Sequence, residues 1–402
     1  MPDLPQPLAG VRVLDLATFL AGPFCASTLG EFGADVIKIE QPRGGDPLRK
    51  FGTPATASGD TLVWLSETRN KRCITLDLRQ PRGAELFRKL VKHADVAVEN
   101  FRPGTLESWG LGYDALAAIN PGLVLVRISG YGQTGPRRSD PGFARIAHGF
   151  SGLSHLVGDP DGPPLMPGTT SLADYASGLY GALGVLLALR VKERTGQGQF
   201  IDIGLYEPIF RMLDELAPAY ALNGFVRGRM GADTVNAVPH SHYPTRDGKW
   251  VAIAATSDKM FQRLAEAMGR PELAQPDALG TAARRVARRE EVNAMVADWT
   301  RRFPRDEVLS RCAEGEVPCG PIYDIAEIFA DPQFAARDNL LRFQDPRAGQ
   351  VTVPAPVPRL SKTPARVERL GPELGADNEA VYRELLGLSA AEIADLRKDG
   401  TI

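Results

Sequence analysis

The sequence predicts an α/β protein: a parallel sheet with helices on both faces, followed by a second, smaller α/β domain. Three observations carry this. Short β-branched runs alternate with stretches of helical apolar spacing from residue 11 to residue 222, the pattern that builds parallel sheets. The stretch 223–244 then turns rich in Gly, Pro, His and polar residues, and the alternation resumes at residue 250. A chain of 402 residues is also long enough for two domains of ordinary size, at about 100 to 200 residues each.

Residues 11–16, Val-Arg-Val-Leu-Asp-Leu, form the first strand. Small residues and Pro23 make the turn after it, and 24–32 follow with helical spacing until Gly33 ends the helix. Residues 35–40 complete a β-α-β unit, and further strands fall at 73–77, 96–99, 123–129 and 200–203, with an amphipathic helix at 82–93. Between 171 and 194, Leu179, Leu183, Val185, Leu186 and Leu189 recur at helical spacing beside Gly178, Gly181 and Gly184. Glycine costs about 1 kcal/mol per helical position, so this stripe implies close backbone packing against another helix or a ligand. Residues 205–222 read as one more helix. In the second domain, 250–255 is a strand, 258–268, 284–300 and 304–313 are helices, and 317–323 is a rigid turn before 325–329. Val351 to Pro354, with Pro356, Pro358 and Pro364 beyond, reads as a linker or edge strand, because proline cannot donate to a sheet ladder. The tail, 378–402, reads as two short helices returning to the first domain. The expected domains are therefore 1–222, completed by about 335–402, and 223–334.

Composition narrows the function. Forty-seven Lys and Arg against 49 Asp and Glu leave a net charge of −2, which implies neither nucleic acid nor an anionic membrane as partner. The four cysteines, Cys25, Cys73, Cys312 and Cys319, contain no CxxC pair. That speaks against a disulfide framework or zinc cluster and for a reducing, cytoplasmic setting. Residues 1–10 lack a signal-peptide core, and the longest apolar stretch, 179–189, falls short of the roughly 20 residues that span a bilayer. The turn after residue 16 lacks GxGxxG, and GxxxxGK[ST], HExxH and GxSxG are missing from the chain, so no nicotinamide, flavin, P-loop nucleotide or catalytic metal is expected, and no tightly bound cofactor.

Asp174 is the carboxylate that stands out. It ends the polar run Pro-Gly-Thr-Thr-Ser-Leu-Ala-Asp, 167–174, where the glycine-striped helix opens. A first-turn carboxylate there meets unpaired N–H groups and the positive helix end. From the residues alone it reads either as a helix-capping aspartate or as a nucleophile or base. The histidines His93, His148, His155, His240 and His242 have no partner acid at suitable spacing and read as structural or surface residues.

Several segments, in order, together resemble the class III CoA-transferases. They are residues 8–16, Ala21-Gly-Pro, 29–40, Asn70-Lys-Arg, Val98-Glu-Asn-Phe-Arg-Pro-Gly, Gly130-Tyr-Gly-Gln-Thr-Gly-Pro, Leu172-Ala-Asp, Thr195-Gly-Gln-Gly-Gln, Val317-Pro-Cys-Gly-Pro and Asp331-Pro-Gln. The resemblance implies a large Rossmann-like domain, a small α/β domain and an interlocked homodimer with the site between domains and chains. It implies that Asp174 attacks an acyl-CoA thioester, that CoA returns to form an aspartyl-CoA thioester, and that an acceptor carboxylate displaces it. Coenzyme A thioester is then a substrate, and the partners are acyl-CoA and a small carboxylic acid. Carried over position by position, the resemblance implicates Leu20, Ala21, Leu76, Asn100, Phe101 and Arg102 in CoA binding. Arg43, Lys71, Arg72 and Arg79 would supply charge for its phosphates.

The sequence also departs from the family's pattern. Gln41 stands where members commonly carry Arg, leaving Arg43 as substitute, and Ala144 lacks a carboxylate that many transferases have. Leu20 and the lack of a glycine-rich loop in the small domain speak against oxalate. Phe143 stands where the related α-methylacyl-CoA racemases carry histidine, which disfavours that rival reading; a catalytically silent CoA-binding protein is the other rival. The run 142–148 is similar to members acting on C4 to C6 dicarboxylic acids such as succinate or malate. Arg145 would pair with the distal carboxylate, with His148 and His240 as further candidate substrate residues.

Overall fold

Six strands build the main sheet: β1 (Arg12–Asp15), β2 (Asp35–Glu40), β3 (Lys71–Thr75), β4 (Val96–Glu99), β5 (Val124–Ser129) and β6 (Phe200–Gly204). Every pairing is parallel, in the order β3-β2-β1-β4-β5-β6. This is the doubly wound Rossmann-like arrangement. Strand order reverses between β1 and β4, so the connections after these strands leave in opposite directions and a crevice opens at their carboxyl ends.

The computed structural model describes residues 4–402, which divide into two compact units. The first comprises residues up to 154, 166–225 and 338–402; the second comprises 155–165 and 226–337. In the first unit, successive strand residues turn to opposite faces of the sheet. Leu14, Ile37 and Ala97 join one core with the helices Pro81–Val91, Asn378–Leu386 and Ala390–Lys398, while Val13, Val36 and Val98 join another with the helices Ala21–Glu31 and Leu172–Thr195. The C-terminal helices are tied to the sheet edge by polar bonds as well. The Tyr382 hydroxyl donates to the Thr75 carbonyl (2.7 Å), and the Thr75 N–H donates to Asn378 Oδ1 (2.8 Å).

The glycine stripe of the helix Leu172–Thr195 meets the first helix. A Cβ on Gly178 would lie 2.8 Å from the Ala21 carbonyl oxygen and 3.1 Å from the Cys25 nitrogen, so only glycine permits this approach. By length and composition this helix could cross a membrane, but one side of it packs in the core through Ala173, Ala176, Gly178, Gly181, Ala182 and Val185. Its opposite side exposes Leu179, Leu183, Leu186, Leu187 and Val191.

The second unit holds an antiparallel sheet, β7 (His240–Pro244), β8 (Trp250–Ala254) and β9 (Cys319–Pro321), in the order β7-β8-β9. Its core draws on the helices Asp258–Ala267, Arg289–Thr300 and Arg305–Glu314. Within the first unit, β10 (Leu340–Asp345) and β11 (Gly349–Pro354) form an antiparallel hairpin.

Several elements differ from the sequence reading. The single helix expected at 205–222 is two, Tyr206–Arg211 and Leu216–Asn223, separated where Asp214 adopts a left-handed φ of 47°. Restarting puts Pro218 in a first turn, where its missing N–H breaks no bond. The helix expected at 284–300 is likewise broken at Arg288. β7 lies inside the Gly-, Pro- and His-rich stretch 223–244, where the sequence predicts no strand, β9 inside what read as a turn, and the linker or edge strand at Val351 is half of the β10-β11 hairpin. β3 begins at Lys71 rather than Cys73, because Lys71 is a charged residue that is buried.

Candidate active site

The turn that follows β1 is held from below by buried charges. Lys71 Nζ pairs with Asp15 (2.8 Å) and donates to the Pro23 carbonyl (2.7 Å), while Lys38 pairs with Asp46 (2.8 Å) and donates to the Ala17 carbonyl. Burial works against both ammonium groups. At Lys38 the carboxylates of Asp15, Asp46 and Glu40 outweigh it and raise the pKa; at Lys71 burial prevails and lowers it. Asp46 Oδ1 accepts the Phe19 N–H (3.0 Å), and Asn100 brackets Thr18, accepting its N–H (2.8 Å) and donating to its carbonyl (2.7 Å). Phe19 is thereby kept at a φ of 59°, a left-handed conformation that costs a bulky residue on the order of 1–3 kcal/mol and persists only where its surroundings enforce it.

A cavity of about 210 Å³ opens above this turn, at the carboxyl ends of β1, β4 and β5. Its wall is formed by residues 18–21, 100–103, 128–130 and 140–143, with Asp174 and Leu205. The loops after β5 close tightly on one another: a Cβ on Gly130 would lie 2.9 Å from the Gly142 Cα. A second cavity of about 200 Å³ lies at the carboxyl ends of β1, β2 and β3, lined in part by Lys38, Gln41, Leu76, Arg79 and Trp109, and it shares Thr18 and Phe101 with the first.

Asp174 sits in the first turn of the helix Leu172–Thr195 and is half-buried. Its carboxyl has no hydrogen-bond or ion-pair partner among the described residues, and burial pushes its pKa up to about 7. The helix is not capped by its own N-cap residue, Ser171. Instead His148, from the helix Ala144–Phe150 and fully buried, accepts the Ala173 N–H at Nε2 (3.0 Å). An unpaired carboxylate, poised near neutrality in a cavity at the switch point, suits a nucleophile or base. Among the described residues no group of three His, Cys, Asp or Glu side chains could hold a metal.

Residues 8–378 match the model of CoA-transferase family III. The chain belongs to that family. Among its relatives are the alpha and beta subunits of succinyl-CoA–L-malate CoA-transferase of Chloroflexus aurantiacus. The alpha subunit is 56% identical over 391 residues, 97% of this chain and 91% of the relative. The beta subunit is 54% identical over 398 residues, 98% of each. Of the solved structures, a CAIB/BAIF family protein from Brucella suis superposes with a TM-score of 0.84 at 36% identity, covering 95% of this chain and 100% of that one. The protein is a CoA-transferase, and CoA thioesters are its substrates.

The transferase brings together most of the residues singled out from the sequence. Leu20, Ala21, Asn100, Phe101, Arg102 and Asp174 line one cavity, and Leu76 and Arg79 line its neighbour. Arg102 is exposed and has no side-chain partner among the described residues, whereas Arg79 is already paired with Asp77 (2.7 Å). Other residues stand elsewhere. Arg72 lies toward the amino end of β3, away from the crevice, and is ion-paired with Asp35 and Glu384 (both 2.6 Å); Lys71 is consumed by Asp15. Neither is placed to meet phosphate in the crevice. Arg43 is exposed in the loop after β2, and Arg145 is exposed on the helix Ala144–Phe150; neither lines either cavity. His148 faces the Ala173 N–H, and His240 opens β7 in the second unit. Sequence reasoning missed Phe19, Ser129, Asp140 and Trp109 as lining residues. The only local signal would have been the crowding of small residues in the turns that carry them.

Proposed function

We propose that this transferase moves CoA from an acyl-CoA such as succinyl-CoA to a C4 to C6 dicarboxylic acid through covalent intermediates on Asp174. The observation that carries the reading is the unpaired Asp174 carboxyl at the wall of the crevice, and the L-malate named for relatives at over half identity supports the acceptor class. The Asp174 carboxylate attacks the thioester carbonyl; a C–O bond forms, the C–S bond breaks, and CoA leaves as thiolate with a mixed anhydride behind it. The thiolate then attacks the aspartyl carbonyl of the anhydride and expels the donor carboxylate, giving aspartyl-CoA. The acceptor carboxylate attacks that thioester and releases CoA thiolate again. Attack of the thiolate on the acceptor's acyl carbon forms the new acyl-CoA and returns Asp174 as carboxylate, with no net proton consumed.

Oxyanions arise at each addition. The Ala173 N–H is taken by His148, and those of Asp174 and Tyr175 by the Ser171 carbonyl, so the start of that helix has little left to offer. The N–H groups of Leu20 and Ala21, at the wall of the same cavity where the first helix begins, are the better donors. Arg102, exposed at the cavity, supplies the free cation for an anionic group of CoA or the acceptor. The leucines left exposed on the helix Leu172–Thr195 support assembly as an interlocked homodimer, and the cysteine usage supports a reducing, cytoplasmic setting.

Replacing Asp174 by alanine tests the reading. Transfer from succinyl-CoA to L-malate is expected to fall by about 10³-fold or more, while CoA binding measured by calorimetry stays at the parent value. Transfer within about tenfold of the parent would remove Asp174 as nucleophile.

A further inference from the structure

The four leading N–H groups of a helix have no intrahelical acceptor, and the N-cap side chain ordinarily satisfies one of them. In the helix Leu172–Thr195 the Ser171 side chain accepts none, and the Ala173 N–H, adjacent to Asp174, is satisfied from another element by His148 Nε2 at 3.0 Å. Only an unprotonated ring nitrogen can accept, so the imidazole is neutral with its proton on Nδ1. Burial opposes the charged form, as do Arg145 on the same helix and the positive helix end that His148 faces. The helix that carries His148 starts directly after Phe143, and residues 140–143 form the cavity wall that includes neither His148 nor Arg145. Ser151 Oγ donates to the His148 carbonyl (3.1 Å) and closes the other end of that helix.

We propose that His148 is a positioning residue: its neutral imidazole ties the cavity wall at 140–143 to the first turn of the helix Leu172–Thr195 and so holds the Asp174 carboxylate in line with the bound thioester. This rests on the reading of Asp174 as nucleophile. His148 touches no substrate on this reading, which gives it a task other than the acceptor contact suggested by the sequence. The same tie leaves Asp174 without a cationic neighbour, since a protonated imidazole could not make this bond.

The test compares His148→Leu, which fills the space without an acceptor, with His148→Gln, whose amide oxygen reaches the place of Nε2. His148→Leu is expected to lower kcat about tenfold, the effect of a lost cap felt at the reacting carboxylate. KM for succinyl-CoA should stay within about twofold, and His148→Gln should recover to within about threefold of the parent kcat. If His148→Leu does not fold, His148→Asn takes its place with the same expectation, because its shorter amide ends near the Nδ1 position. Parent kcat in the leucine or asparagine variant, or a glutamine variant no faster than it, would overturn the proposal. With Asp174→Ala inactive, such a result strikes His148 alone; an active Asp174→Ala strikes the nucleophile reading instead.

Discussion

A carboxylate in the first turn of a helix ordinarily ionises readily, because the helix end is positive. Asp174 behaves differently: the N–H groups of Ala173, Asp174 and Tyr175 are already taken, no cation faces it among the described residues, and burial pushes it up to about 7 from an ordinary 3.8. The sign follows from proton counts. Between about 4 and 7 the folded chain binds a proton at this site that the unfolded chain has released, so stability contributed there falls as pH rises through that window. Asp174→Asn, which cannot ionise, is expected to melt a few °C above the parent at pH 8 and to match it near pH 4. The parent's kcat/KM for succinyl-CoA should rise with pH through about 7 and then level. Equal melting of the two proteins at pH 8 would contradict the buried, unpaired setting of Asp174. Asp174 was legible in the sequence as a first-turn carboxylate, although its role came only with the family resemblance. The task of His148 was not legible, because its partner is a backbone N–H twenty-five positions away.

At the scale of elements, the helix Leu172–Thr195 was the most legible part of the molecule. Three glycines at helical spacing demanded a close backbone neighbour, and Gly178 against Ala21 supplies it. The helix's other side is less easily read, since its leucines are as apolar as a core yet lie exposed in the single chain. If a second copy covers them, Leu183→Glu should shift the protein from twice the chain mass to the chain mass in analytical ultracentrifugation. A parent that sediments as a single chain would remove the homodimer. Where the sequence misled, tertiary pairing overrode local pattern. Lys71, offered by the resemblance for the CoA phosphates, instead begins β3, because Asp15 holds it in the interior; β7 falls in the stretch 223–244, where its His-Ser-His start carries no apolar alternation.

For the molecule as a whole, alternation of strands and helices was enough to imply a parallel sheet, but not the order β3-β2-β1-β4-β5-β6, which depends on pairings between distant segments. That order makes the crevice, and the crevice sorts the candidate residues. Leu20, Asn100, Phe101 and Asp174, far apart in the chain, meet at one cavity because each follows a strand's carboxyl end or faces it. Arg72, near a strand's amino end, does not, and no local feature of Asn70-Lys-Arg72 could have revealed this. Covalent transfer through Asp174 is tested most directly by peptide mass spectrometry after incubation with succinyl-CoA and trapping with hydroxylamine. A hydroxamate mapped to Asp174, absent without the thioester and absent in Asp174→Ala, is the expected result. Full transfer activity with Asp174 recovered unmodified, or a hydroxamate on another carboxylate, would contradict it.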